Sequence, residues 1–263
     1  MTDRPLVLVT NDDGVHAAGL ASMVEALGEH ARVLVIAPES EQSACSHRIS
    51  LHRALRLRRV QPGWFALDGT PADCVYVAVY GGDHVLGERP DLVVSGLNHG
   101  LNLGLDVYYS GTVAGAREGA IRGVPGLAVS ADARADQQKA AAASAHLAMA
   151  LLEVGRHEPT PPVLNANVPA GGSWRWARTR LGKRVYGEGV VFRRDPRGRA
   201  YLWLGESGEV SNGNEEGTDT HAFDRGEIGV SCLPLFPFAS GSDDVVERVL
   251  QVVERMESAR ESG

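Results

Sequence analysis

Short runs of β-branched and aliphatic residues alternate along the first two thirds of the chain with stretches whose apolar residues recur at helical spacing. Leu6-Val7-Leu8-Val9, the segment 32–37 and Leu92-Val93-Val94 have the continuous apolar character of strands buried on both faces. Between and after them, 18–27, 71–79, 113–122 and the alanine-rich 137–154 read as helices, with Thr70 placed to cap the second and Gly123 to stop the third. Buried strands interleaved with helices predict an α/β, Rossmann-like core over residues 1–170, a parallel sheet with helices on both faces. The alternating apolar and basic residues of 47–66 predict a hairpin inserted in that core. After Val168 the helical spacing stops, and segments rich in Trp, Val, Tyr and Phe at 174–179, 185–192, 200–204 and 228–233 predict a β-rich arm over 171–240. Residues 241–263 read as a closing helix, 243–257, capped by Ser242.

The first strand ends abruptly in Asn11-Asp12-Asp13-Gly14. In open parallel sheets ligands bind outside the carboxyl ends of the strands, so two adjacent carboxylates stand where chemistry is usually done. They repel one another unless a proton or cation lies between them, and their hard oxygens suit Mg²⁺, Mn²⁺ or Ca²⁺. Asn, Asp and Gly are also the commonest turn and N-cap residues, so this segment alone supports a helix-capping turn equally well.

Two further strand-end loops reach the same rim. Residues 39–47 form a polar loop containing Ser43, and the strand at 91–95 empties into Gly96-Leu97-Asn98-His99-Gly100-Leu101-Asn102-Leu103-Gly104. Ser110-Gly111-Thr112 then opens a helix, offering backbone N–H groups, two hydroxyls and the positive end of the dipole, a natural phosphate cradle. Two carboxylates, neutral oxygens from Ser43 and Asn98, and an anion site together suit phosphate-ester hydrolysis.

The ordered set Thr10-Asn11-Asp12-Asp13-Gly14, Gln42-Ser43-Ala44, Gly69-Thr70-Pro71-Ala72-Asp73, Ser95-Gly96-Leu97-Asn98 and Tyr108-Tyr109-Ser110-Gly111-Thr112-Val113 resembles the SurE survival-protein family. The likeness continues through Asn165-Ala166-Asn167-Val168-Pro169, Asp195-Pro196-Arg197-Gly198 and Gly217-Thr218-Asp219. The resemblance implies a divalent-metal-dependent phosphatase of nucleoside 5′-monophosphates, and by extension 3′-monophosphates. It implies one Mg²⁺ or Mn²⁺ per subunit on Asp12, Asp13, Ser43 and Asn98. Ser110, Gly111 and Thr112, with Asn102 nearby, become the phosphate-binding turn. The expected mechanism is attack by a metal-activated water whose proton Asp12 or Asp13 takes, rather than attack by an Asp to give an aspartyl-phosphate, because metal-bound carboxylates are poor nucleophiles. The resemblance also implies a homodimer or homotetramer assembled through the β-rich arm.

The remaining features narrow the alternatives. A net charge of −7 argues against general binding to nucleic acid or anionic membrane, and no apolar stretch is long enough to span a bilayer. Three cysteines without metal-type spacing, and no signal-like segment at the start, lead to the expectation of reduced thiols and a cytoplasmic location. A receiver domain also opens with an acidic pair after a strand, but it needs an Asp ending the third strand and a later strand-end Lys, neither of which is in place. A non-catalytic metal and nucleotide sensor of the same fold remains the alternative, separable by phosphate release. Among the loop histidines His99 directly follows Asn98, yet a solvated ring is the commoner reading.

Overall fold

The structure, a computed structural model, describes residues 4–235 apart from 86, 188 and 205–209. Its elements in chain order are β1 (Leu6–Thr10), α1 (Ala18–Gly28), β2 (Arg32–Pro38), β3 (Leu57–Gln61), β4 (Trp64–Leu67), α2 (Pro71–Tyr80), β5 (Leu92–His99), α3 (Asp106–Tyr109) and α4 (Gly111–Ile121). There follow β6 (Gly126–Ala131), α5 (Gln137–Gly155), β7 (Val163–Val168), β8 (Trp176–Thr179), β9 (Arg184–Val185), β10 (Val190–Arg194), β11 (Ala200–Leu204), β12 (Ser211–Asn212), α6 (Asp219–Asp224) and β13 (Ile228–Leu233).

One sheet in the order β3-β4-β2-β1-β5-β6-β7-β13-β8 carries the molecule. From β4 to β7 all neighbours are parallel, with β1 held between β2 and β5. The period-2 geometry of β1 sorts its side chains between two layers. Val7 and Val9 pack with Leu20, Met23 and Leu27 of α1 and Ala145, Ala148 and Leu152 of α5. Leu6 and Leu8 pack with Cys74, Val75 and Ala78 of α2. The small residues of α4 then let that helix lie close over β5 and β6, burying every residue from Gly111 to Ala116. The fold is therefore α/β and Rossmann-like, with helices on both faces of a mostly parallel sheet.

The helix termini follow the predicted chemistry. Thr70 accepts the Asp73 N–H and the Asp73 carboxylate accepts the Thr70 N–H, a reciprocal capping box with Pro71 at the first helical position. Removing such a cap typically costs about 1 kcal/mol. The chain runs from β1 to β2 on one side and only later returns to place β5 on the other, so the crevice between β1 and β5 is the topological switch point.

The β-rich segment differs from its expected form. β8 and β13 belong to the central sheet, β13 antiparallel to β7 and parallel to β8, so a compact unit runs from Met1 to Leu233 across the boundary expected at residue 170. The reason is the edge that β7 would otherwise expose; buried Ile228 and Leu233 complete its cover. The strand expected at 185–192 is two short pieces: β9 pairs with β12 and β10 with β11, each pair a separate ribbon. Helices do not stop at Val168, because Thr218 accepts the His221 N–H and starts α6, too short to show a period in the sequence. The expected closing helix with its Ser242 cap lies outside the described residues.

Candidate active site

Both acidic residues stand at the C-terminal end of β1, in the switch-point crevice. Asp12 is 4% exposed, while Asp13 is half-buried. Asn11 is not directed at a ligand: its amide donates to the Gly14 carbonyl (3.0 Å) and its Oδ1 accepts the Gly14 N–H (3.2 Å), shaping the turn that aims the next two side chains. Part of the segment is thus a turn, as its composition allowed, and the turn serves to present the carboxylates.

Asp12 faces the first turn of α4. Its Oδ2 accepts the Thr112 N–H at 3.0 Å, and its Oδ1 accepts the Thr112 hydroxyl. The Ser110 hydroxyl caps the helix by accepting the Val113 N–H (3.1 Å), and the Ala114 N–H goes to the Ser110 carbonyl (3.1 Å). Of the four N–H groups that open α4, that of Gly111 alone has no partner among the described residues. The expected cradle of open donors is therefore narrower than the motif suggested, because Thr112 turns both of its donors on Asp12 and the helix dipole falls on that carboxylate. Gly111 is required by closeness: a Cβ there would lie 2.9 Å from Asp12 Cβ and 2.9 Å from Cys45 Sγ.

Asp13 faces the other way, and its Oδ2 accepts the main-chain N–H of His99 at 3.1 Å. Asn98 donates its amide to the Gly100 carbonyl (2.9 Å), and its Oδ1 accepts nothing among the described residues. Gly96 makes this turn possible; it sits at φ 140°, where a Cβ would collide with the Val129 carbonyl. Ser43 is exposed and donates to Glu41 Oε1 (2.7 Å), which leaves the hydroxyl lone pairs free. The Gln42 N–H binds the Asp12 carbonyl at 2.7 Å and brings this loop to the acidic turn.

Burial raises the pKa of Asp12, and the neighbouring Asp13 charge raises it further; the Thr112 hydroxyl is the strongest opposing influence. Asp13 is raised as well, first by burial and also by Glu41, against the His99 N–H and ring. Among the described residues no Lys or Arg forms an ion pair with either carboxylate. Asp12, Asp13, the Ser43 hydroxyl and the Asn98 amide oxygen are hard oxygens on adjoining loops short of positive charge, donors of the kind a hard divalent cation takes. The described residues hold no cluster of three or more Asp, Glu, His and Cys side chains suited to a metal, so such a cation depends on the neutral oxygens as well.

Asn102 is 8% exposed, and its main chain and side-chain amide hold its own loop. Its N–H donates to Asn167 Oδ1 (2.8 Å), its side chain to Ser130 Oγ (2.7 Å), and its carbonyl accepts the amides of Asn165 (2.9 Å) and Asn167 (3.0 Å). Asp219 fixes the next turn, accepting the N–H groups of Gly104 (2.9 Å) and Gly182 (2.7 Å). The asparagines of β7 and the Gly-Thr-Asp at α6 thus support the Gly-rich loop from behind. Beside Asp13 opens a cleft of about 280 Å³ walled by Ala17, Leu97, Asn98, His99, Ala131 and Asp132. Asp132 is held down to about 2 by its hydrogen-bonded Arg134 and faces the cleft as part of an ion pair.

The family model of the survival protein SurE matches residues 7–188. The chain is 54% identical to the 5′-nucleotidase SurE of Sorangium cellulosum (strain So ce56), over 92% of this chain and 94% of that protein. It is 46% identical to the 5′-nucleotidase SurE of Myxococcus xanthus (strain DK1622), over 89% of each. The crystal structure of the SurE protein from Aquifex aeolicus superimposes with a TM-score of 0.79 at 33% identity, over 93% of this chain and 99% of that one. With the match covering the acidic turn, the Ser43 loop, the Gly-rich loop and the start of α4, the chain belongs to the SurE family.

Proposed function

We propose that the chain is a 5′-nucleotidase that hydrolyses nucleoside monophosphates to nucleoside and phosphate, and that it needs a divalent cation to do so. The observation that carries the reading is the pair Asp12 and Asp13, both raised in pKa by burial and balanced by no Lys or Arg among the described residues. The names of the relatives support the substrate class. Asp12, Asp13, Ser43 and Asn98 would hold the cation. A cation bound there lowers the pKa of a water and offsets phosphoryl charge.

The chain's own groups do the rest. Thr112 orients Asp12 and favours its ionised form against the effect of burial, and the free Gly111 N–H is a donor for a phosphate oxygen at the positive end of α4. Asp13 borders the cleft, which favours it over Asp12 as the carboxylate that would take a proton from the attacking water. The cleft walls combine Leu97 and alanines, Ala133 among them, with polar groups such as Asn98 and Gln137, and its volume of about 280 Å³ suits the leaving nucleoside.

The test is phosphate release by the purified protein from AMP and from phenyl phosphate, with Mg²⁺, Mn²⁺ or EDTA. Both esters are cleaved only with cation, and Ala133→Trp, which fills the cleft, lowers kcat/KM for AMP while sparing phenyl phosphate. Nucleotide binding without phosphate release under every condition overturns the reading in favour of a non-catalytic sensor.

A further inference from the structure

Ser43 lies between β2 and β3 in a segment without helix or strand. Two of its neighbours, Ala44 (φ 55°) and Ser46 (φ 54°), occupy the left-handed region, which costs a non-glycine residue roughly 1–2 kcal/mol. The segment therefore does not hold its shape by local preference, and contacts from outside must impose it. The Gln42 N–H is tied to Asp12, while the Ser46 N–H donates to the Tyr109 carbonyl (2.9 Å) and its hydroxyl to the Tyr108 carbonyl (2.6 Å).

The Thr70 hydroxyl donates to the Arg48 carbonyl (2.6 Å), and one further tie is of a different kind. His47 Nε2 meets Glu118 Oε2 at 2.8 Å, and the other oxygen of Glu118 accepts Arg122 Nε at 2.7 Å. Glu118 is 1% exposed in the middle of α4, among small and apolar residues. A buried carboxylate is costly unless its oxygens are engaged, and replacing a whole buried pair of this kind with well-packed apolar residues is often no loss to stability. Stability is thus a poor reason for a carboxylate at this place. Its location gives a better one: the helix whose first turn grips Asp12 also grips, through Glu118, the loop that carries Ser43.

We propose that His47 and Glu118 form a clamp that positions Ser43 against Asp12 and Asp13, making His47 a positioning residue of the cation site. The inference rests on the reading of Ser43 as part of that site. α4 becomes a common ruler for a carboxylate and a hydroxyl that come from different loops.

The test compares wild type, His47→Ala and His47→Gln, the last keeping an N–H donor for Glu118. Calorimetric titration with Mn²⁺ in the absence of substrate should show the dissociation constant of His47→Ala raised about tenfold, the lower end of the usual effect of losing a group that orients a metal ligand, and largely restored in His47→Gln. In EDTA, trypsin should cut His47→Ala faster after exposed Arg48, next to the clamp. A histidine that only stabilises the fold lowers the melting temperature in both variants and leaves Mn²⁺ affinity alone; that result overturns the clamp. Wild-type protein that binds no Mn²⁺ and is indifferent to EDTA removes the cation reading and the clamp with it, whereas tight binding by wild type and His47→Ala alike removes the clamp only.

Discussion

Thr112→Val tests the link between α4 and the acidic pair most directly, because valine keeps the shape and the main-chain N–H but deletes the hydroxyl that Asp12 Oδ1 accepts. A hydrogen bond to a charged group contributes about 1.5–3 kcal/mol, against about 1 kcal/mol for a neutral one. Because the bond favours the ionised form over the neutral one, losing it should lift the Asp12 pKa further above its ordinary value. The direction of the pH effect follows from burial. The folded pKa of Asp12 already lies above its ordinary 3.8, so the stability associated with this group is fully present below 3.8 and is lost as pH rises through the folded value. Thr112→Val moves the folded value further up and deepens the loss. In EDTA, urea unfolding should show the variant destabilised by about 1.5–3 kcal/mol near pH 8 and by about 1 kcal/mol near pH 4, where the neutral bond is all that is missing. Protons then compete better with the cation, so the Mn²⁺ needed for half-maximal activity rises most in mild acid, while Thr112→Ser behaves as wild type. An equal destabilisation at both pH values, with an unchanged Mn²⁺ requirement, would refute the argument that Thr112 sets the charge of Asp12.

Asp13→Asn should abolish cation-dependent phosphate release while raising metal-free stability near neutral pH, since it removes a charge that faces Asp12 and Glu41; turnover close to wild type at saturating Mn²⁺ counts against the site. Ser43→Ala and Asn98→Ala delete neutral oxygens and should chiefly raise the Mn²⁺ concentration required, and activity beyond rescue at any concentration would assign them another role. Gly111→Ala places a Cβ 2.9 Å from Asp12 Cβ and should cut kcat on the order of 10²-fold by displacing the carboxylate, partly restored by Cys45→Ala; an unaffected kcat sinks the packing argument. The β10–β11 ribbon exposes Phe192, Trp203 and Leu204, an apolar surface of the kind that pairs with another chain, so light scattering at micromolar concentration should report a dimer or tetramer, and a monomer would refute it.

The core was legible because its signals are local. Leu6 to Val9 read as a strand from four consecutive apolar residues, and the capped helix at Pro71 from Thr70 and Asp73, all within a few positions. The β-rich segment was less legible for the same reason inverted. Nothing within 174–179 or 228–233 says whether a strand of that composition extends into solvent or covers an existing edge; the decision belongs to β7, whose own edge needed a partner. α6, six residues long, never completes two turns and leaves no period to read.

The site divides along the same line. Strand ends identify which loops reach the switch point, so Asp12, Asp13 and Asn98 could be assigned to that rim from sequence; in the structure Asp13 and Asn98 line one cleft, while Asp12 turns to the first turn of α4. What each group does once there depends on partners far along the chain: Thr112 lies 100 residues from Asp12, Asn165 63 residues from Asn102, and Glu118 71 residues from His47. Two of these long-range partners did leave a mark in the sequence. Asn165 and Asn167 occupy alternate positions of an otherwise apolar strand, and Glu118 is a lone acid in a helix of small residues packed on the sheet. A polar group that the pattern forces inward must find a partner there. In this fold the partners are the Gly-rich loop and the Ser43 loop, so the residues that break the apolar pattern of the core are those that hold the functional loops in place.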